Sequence, residues 1–152
     1  MYRLTTTWHL PAAPEPVWGA VEQVAAWPHW WPGIDAAAMV RHAGSDGLGQ
    51  RVHLVVRSPF GYRLRFGVEI VAAAPPRYAR ARVVGDLVGL GSWRVDPAAD
   101  GCIATIRWEV TPARGLLHAL GPLVGAPARW AHARVMHEGQ RGLVTHLTRF
   151  GG

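Results

Sequence analysis

Apolar and polar positions along this chain change their period from one stretch to the next. The first residues, Arg3-Leu4-Thr5-Thr6-Thr7-Trp8-His9-Leu10, are rich in β-branched and aromatic types and alternate, which predicts a strand ending before Pro11. Val17, Trp18, Val21 and Val24/Ala25 then recur at spacings of three and four, the apolar face of a short amphipathic helix. Pro14 and Pro16 suit its start, because proline has no amide hydrogen to waste in a first turn, and Glu15 lies near the positive end of the helix dipole. Pro28 and Pro32 stop any continuation, so Trp27-Pro28-His29-Trp30-Trp31-Pro32-Gly33 is expected to form a compact corner.

Turn signals divide the middle of the chain into short strands. Ala37 to His42 precedes a loop of Ala, Gly, Ser and Asp, and Gln50 to Arg57 ends at the turn Ser58-Pro59-Phe60-Gly61. Tyr62 to Ala73 runs to a break at Pro75-Pro76, and Arg77 to Val84, Leu87 to Val95 and Cys102 to Val110 follow. With the first strand these make seven, and their short connections imply antiparallel neighbours. Parity sends Val52, Leu54 and Val56, then Tyr62, Leu64, Phe66, Val68 and Ile70, to one face, joined by Trp93, Val95, Ile106, Trp108 and Val110. Gly67, Gly85, Gly89 and Gly91 are costly inside strands and are expected to mark bulges and bends that let the sheet curl.

The period returns to helical at the C-terminal end. Gly121-Pro122 and Pro127 divide that segment into a first helix near Leu116 to Leu123, a kink at Gly125-Ala126, and a second helix from about Pro127 to Arg149. The second is roughly 33 Å long at 1.5 Å per residue. Ala128, His132, Val135, Gly139, Leu143 and His146 or Leu147 share one face of it. Gly139 and Gly142 are poor helix formers, so a close approach to the sheet is expected there.

Five pieces of this order go together: Pro16-Val17-Trp18, Trp27-Pro28 through Gly33, Gly89 to Val95, Asp100-Gly101, and Trp130 through Leu143. They resemble the helix-grip superfamily, which holds the START domains, the Bet v 1-like proteins and the polyketide cyclase/dehydrase-like proteins. The resemblance implies an α+β fold in one domain over residues 1–152. A curved seven-stranded antiparallel sheet would wrap round a long C-terminal helix, with two short helices after the first strand. It also implies a cavity between sheet and helix that binds a hydrophobic small molecule resembling a polyketide, lipid or isoprenoid. Such a protein is either a carrier or a metal-independent cyclase, aromatase or dehydratase, because the fold hosts both. A stress-related interaction module of the same superfamily is a further expectation, and it would need a filled core and an exposed apolar patch.

Composition narrows the chemistry. The chain has 152 residues, enough for one core with an internal cavity. All 16 basic residues are Arg, so lysine-dependent Schiff-base or P-loop chemistry is excluded. The net charge of +6 is spread along strands at positions opposite the apolar ones, as on the solvated face of a sheet, and no nucleic-acid partner is expected. No run of about 18 apolar residues is present and the N-terminus has no secretory pattern, so a cytoplasmic protein without integral membrane association, monomeric or homodimeric, is expected. The single Cys102 reads as a packed thiol.

Recognisable catalytic motifs are few. His118, His132 and His146 recur every fourteen residues, but the last two would stand about 21 Å apart along a helix, far beyond the reach of one ion, so no metal or other cofactor is expected. No G-x-S-x-G elbow frames a serine, and no G-x-G-x-x-G opens a helix after a strand. Position and parity instead nominate Tyr62, Ser92 and His132 for proton transfer in the cavity, by analogy with pocket groups of polyketide cyclase-like relatives. Trp31, Asp35, Leu54, Leu64, Phe66, Trp93, Trp108, Val135 and Met136 are the expected ligand contacts. The sequence leaves open whether Trp18, Trp93, Trp108 and Trp130 line the interior or fill it.

Overall fold

The structure is a computed structural model, and it describes residues 2–46, 48–121 and 125–150. Strand β1 (Tyr2–Leu10) leads into α1 (Pro14–Glu22) and a 3-10 helix (Val24–His29). Six strands follow, β2 (Ile34–Arg41), β3 (Arg51–Arg57), β4 (Arg63–Ala74), β5 (Tyr78–Gly85), β6 (Leu87–Ala98) and β7 (Gly101–Pro112). Then come α2 (Arg114–Leu120) and α3 (Ala126–Phe150). The strands form one seven-stranded antiparallel sheet in the order β1-β7-β6-β5-β4-β3-β2, so β1 and β2 are its edges. This is the helix-grip arrangement, with two short helices after the first strand.

The register explains the inner face. Val52 pairs with Val68, Leu54 with Phe66, Val95 with Ala104 and Trp93 with Ile106, and cross-strand partners share a face. β1 adds Trp8 opposite Ala104, and Trp8 is buried. Against this face α3 sets Ala131, Met136, Leu143 and Leu147, all buried, at spacings of five, seven and four.

Four expectations are corrected here. The pairing irregularities fall at Ile34/Ala36, Met39/Arg41 and Ile70/Ala72, while Gly67, Gly85, Gly89 and Gly91 stay in register. Gly89 answers a different need, since a Cβ there would lie 2.0 Å from the Glu109 carbonyl oxygen of β7. Trp130 does not join the interior: it is 52% exposed and packs on Phe60, with ring centroids 5.5 Å apart. The first of the two C-terminal helices begins earlier than expected, at Arg114, and the expected end at Leu123 lies outside the described residues.

The fourth correction concerns Gly139 and Gly142, which meet the tryptophan corner and not the sheet. A Cβ on Gly139 would stand 2.4 Å from Trp31 Cε2, and one on Gly142 1.7 Å from the Trp30 carbonyl oxygen. The two glycines cut a notch in α3 into which the corner is pressed. Trp31 lies in that notch and donates from Nε1 to the Val135 carbonyl at 2.9 Å, while Trp27 Nε1 donates to the Val21 carbonyl at 3.0 Å. Trp30 and Trp31 stack at 5.5 Å with an interplanar angle of 20°. The helix accepts two poor helix formers because the notch buries two indoles.

Candidate functional site

The tryptophans line the interior without filling it. A cavity of about 480 Å³ lies between the inner sheet face and the corner. Trp27, Trp30 and Trp31 of the corner and Met136 of α3 line it, together with Trp8, Leu54, Val68, Ile70, Ile106 and Trp108 of the sheet. It exists because part of the sheet carries little side-chain volume: Ala81 of β5 pairs with Gly91 of β6, and Ala79 is the next inward position on β5. Where two packed layers need about 10 Å filled, alanine and glycine leave a void. Trp8 meets Trp31 edge-on at 5.3 Å and Trp93 at 5.8 Å, which fixes the aromatic wall.

Among the described residues, the ionisable groups lining this cavity are Glu22, Asp46 and Arg80, and all three are exposed. Glu22 accepts from Trp18 Nε1 at 3.1 Å, and Asp46 Oδ1 accepts the Leu48 amide at 3.0 Å. The interior is therefore apolar and its charges stand on exposed side chains, the usual make-up of a site for a hydrophobic ligand. The β2–β3 loop borders it through Ala43, Asp46 and Gln50, and Arg41 ties that loop down by donating to the Gly49 carbonyl at 2.8 Å.

A second, smaller cavity of about 130 Å³ lies on the same sheet face. Tyr62, Leu64, Phe66, Val135 and His132 line it, with Ser58, Val56, Leu87 and Leu116. Trp108 lines both cavities, and its ring meets Phe66 edge-on at 6.2 Å, so this pair stands between them. On α3 the division falls within one turn: His132 and Val135 face the small cavity, and Met136 the large one.

The nominated residues thus separate. Trp31, Leu54, Trp93 and Met136 border the large cavity, Leu64, Phe66, Val135, Tyr62 and His132 the small one, and Trp108 both. Ser92 borders the large cavity, but it pairs with Arg80 and Arg107, whose exposed side chains mark the outer face. Its hydroxyl belongs to that face, because its neighbour Trp93 points inward. Asp35 lines neither cavity. Ile34 before it is buried, so Asp35 turns outward and pairs with Arg63 at 2.9 Å and Arg57 at 3.7 Å. Other outward arginines have acidic neighbours too: Arg51 and Arg41 meet Glu69, and Arg94 meets Asp96 at 3.8 Å.

His132 has an unusual environment. Burial among apolar groups lowers its pKa to about 4, so the imidazole is neutral at ordinary pH. Its Nε2 is buried without a hydrogen-bond partner, as are the indole nitrogens of Trp8 and Trp93. Cys102 is buried, and that burial, followed by Glu15, pushes its thiol pKa up, as for an inert packed thiol. Two features escaped the sequence reading. Ser58 was read only as a turn residue, yet it is buried and its Oγ accepts the Phe60 amide at 3.1 Å. The floor of Ala79 and Ala81 was visible in the alternation Ala79-Arg80-Ala81-Arg82, whose inward positions are all small.

A curved sheet gripping a long helix, with an apolar hollow between them, is a START-like, helix-grip fold. The chain belongs to the polyketide cyclase / dehydrase and lipid transport family, whose model matches residues 1–148. Solved structures share the fold at low identity. A START superfamily protein from Mycobacterium smegmatis superposes with a TM-score of 0.78 at 14% identity, covering 98% of this chain and 99% of that one. A protein from Rhodobacter sphaeroides superposes with a TM-score of 0.64 at 21% identity, covering 97% and 93%. The di-domain ARO/CYC StfQ of the steffimycin biosynthetic pathway gives 0.67 at 18% identity, covering 92% of this chain and 47% of that one. No curated protein matches the chain. Among the described residues no helix is long and apolar enough to cross a membrane.

Proposed function

We propose that this protein binds one hydrophobic small molecule, of polyketide, lipid or isoprenoid type, in the large cavity and acts as its carrier. The observation that carries the reading is the hollow of about 480 Å³, whose walls are aromatic and aliphatic and whose ionisable lining groups are all exposed. Such a lining gains from apolar burial and offers a reacting carbonyl no buried acid or base. The filled core that an interaction module needs is not what this interior offers.

A catalytic reading on the same fold ranks second, and it rests on one observation: Tyr62 and His132 line the same small cavity. They would serve a ligand that reaches past Trp108, and a neutral imidazole can accept a proton there. Neither reading calls for a metal or nucleotide.

Native mass spectrometry of the protein from its own host, followed by denaturing extraction, tests the two. A stoichiometric ligand recovered unchanged supports the carrier, and a cyclised or dehydrated product supports the enzyme. Tryptophan-fluorescence titration with fatty acids, isoprenoids and polyketides adds the contrast with Ala81→Phe, which fills the floor. Wild-type binding that Ala81→Phe abolishes is expected; equal binding by both sinks the assignment to this cavity.

A further inference from the structure

We propose that the small cavity is a binding site of its own, for a single hydroxylated ring the size of phenol, whose hydroxyl is partnered by His132, Tyr62 and Ser58. Size comes first. At about 130 Å³ it is close to the engineered aliphatic cavity of about 150 Å³ that takes up benzene, and too small for a long chain or fused rings.

Polarity comes second. Most of the lining is apolar, with Leu64, Phe66, Leu87 and Val135 among the walls, as an aromatic ring requires. Within it stand an imidazole whose buried Nε2 has no partner, and a buried serine whose Oγ already accepts the Phe60 amide, leaving its hydroxyl hydrogen to donate. Tyr62 belongs to the same lining, as does Tyr2, whose hydroxyl already accepts the Gly125 amide at 2.7 Å. A buried polar atom without a partner costs stability, so its retention calls for an occupant that supplies one. A phenolic hydroxyl both donates and accepts, and so serves a neutral imidazole in either tautomer. A hydrocarbon serves neither group, and an anion would enter an apolar chamber without a cation to meet it. The proposal goes beyond the carrier reading and does not require the large cavity to be occupied, although the two share Trp108.

The test is NMR titration of the protein with phenol, with benzene as the isosteric control, following the His132 imidazole resonances. Phenol is expected to bind at one equivalent, to shift those resonances, and to bind roughly tenfold more tightly than benzene, the worth of about one net hydrogen bond. His132→Phe and Tyr62→Phe should each erase most of that preference. Ala81→Phe should leave phenol binding intact while removing palmitate. Equal affinity for phenol and benzene overturns the proposal, as do unmoved His132 resonances in the wild-type protein, which need no variant to fold. Loss of phenol together with palmitate in Ala81→Phe places phenol in the large cavity and also overturns it. A wild-type protein that binds phenol but none of the long ligands sinks the carrier reading and leaves this one standing.

Discussion

The two cavities open on the same sheet face and share the Trp108 ring, yet they are made of opposite materials. The large one is a product of subtraction. Ala79, Ala81 and Gly91 supply almost no volume, and the tryptophan corner is held off the sheet by its seat in the Gly139/Gly142 notch of α3. The small one is what remains where full-sized side chains nearly meet, and the buried polar atoms with unmet hydrogen-bonding capacity in its lining are on His132 and Ser58. Empty volume on this fold therefore comes from small residues and polarity comes from a helix position, so the two can be altered separately.

The largest effect should come from breaking the notch. In Gly142→Ala the new Cβ would stand 1.7 Å from the Trp30 carbonyl oxygen, a backbone atom that cannot swing aside as a side chain would. A loss of about 4 kcal/mol or more is expected in urea denaturation, with collapse of the large cavity and loss of long-ligand binding. A stable variant that still binds long ligands would show that the corner does not depend on this seat.

Removing the shared wall comes next. Trp108→Ala should cost about 3 kcal/mol, the lower end for a tryptophan truncation because the ring is only partly buried, and it should join the two cavities. Ligands longer than those the wild type accepts should then gain affinity in fluorescence titration. Unchanged length selectivity would mean that Phe66 alone divides the space.

The third difference is one of pH. Burial lowers the His132 pKa to about 4 in the folded chain from its ordinary 6.5, so between those values the unfolded chain binds the extra proton. Stability is thus full above the unfolded value and is lost as pH falls towards the folded one, by on the order of 3 kcal/mol in total. Denaturation midpoints measured from pH 7 to pH 4 should fall more steeply for the wild type than for His132→Phe. Parallel curves would show that His132 is solvated in solution.

How much of this was legible in the sequence follows from the same physics. Strand order, the inner face of β3 and β4, the corner and the long helix are written in period and punctuation, signals local to a few residues. The partner of the α3 notch was not: Gly139 and Gly142 announce a close approach without saying what approaches, and the sheet was the wrong guess. Ser92 and Asp35 stand next along the chain to Trp93, which faces Trp8, and to buried Ile34, and strand alternation turns each of them to the outer side. The partition by Trp108 and Phe66 depends on ring orientation, an edge-on contact at 82°, which no alternation of residue types encodes.

The smallest effect tests whether the small cavity depends on the surface above it. Trp130 and Phe60 are 52% and 44% exposed, with ring centroids 5.5 Å apart, so about half of each side chain is already in water. Trp130→Ala should cost only about 1 kcal/mol, the worth of an exposed aromatic pair, and should leave long-ligand affinity unchanged. Phe60 nevertheless belongs to the turn whose amide is held by Ser58, and Ser58 lines the small cavity. If the ring pair steadies that turn, Trp130→Ala should speed phenol release while Ala81→Phe does not, since Ala81 touches only the large cavity. If both variants alter phenol release equally, Trp108 transmits between the cavities and they act as one chamber with two ends.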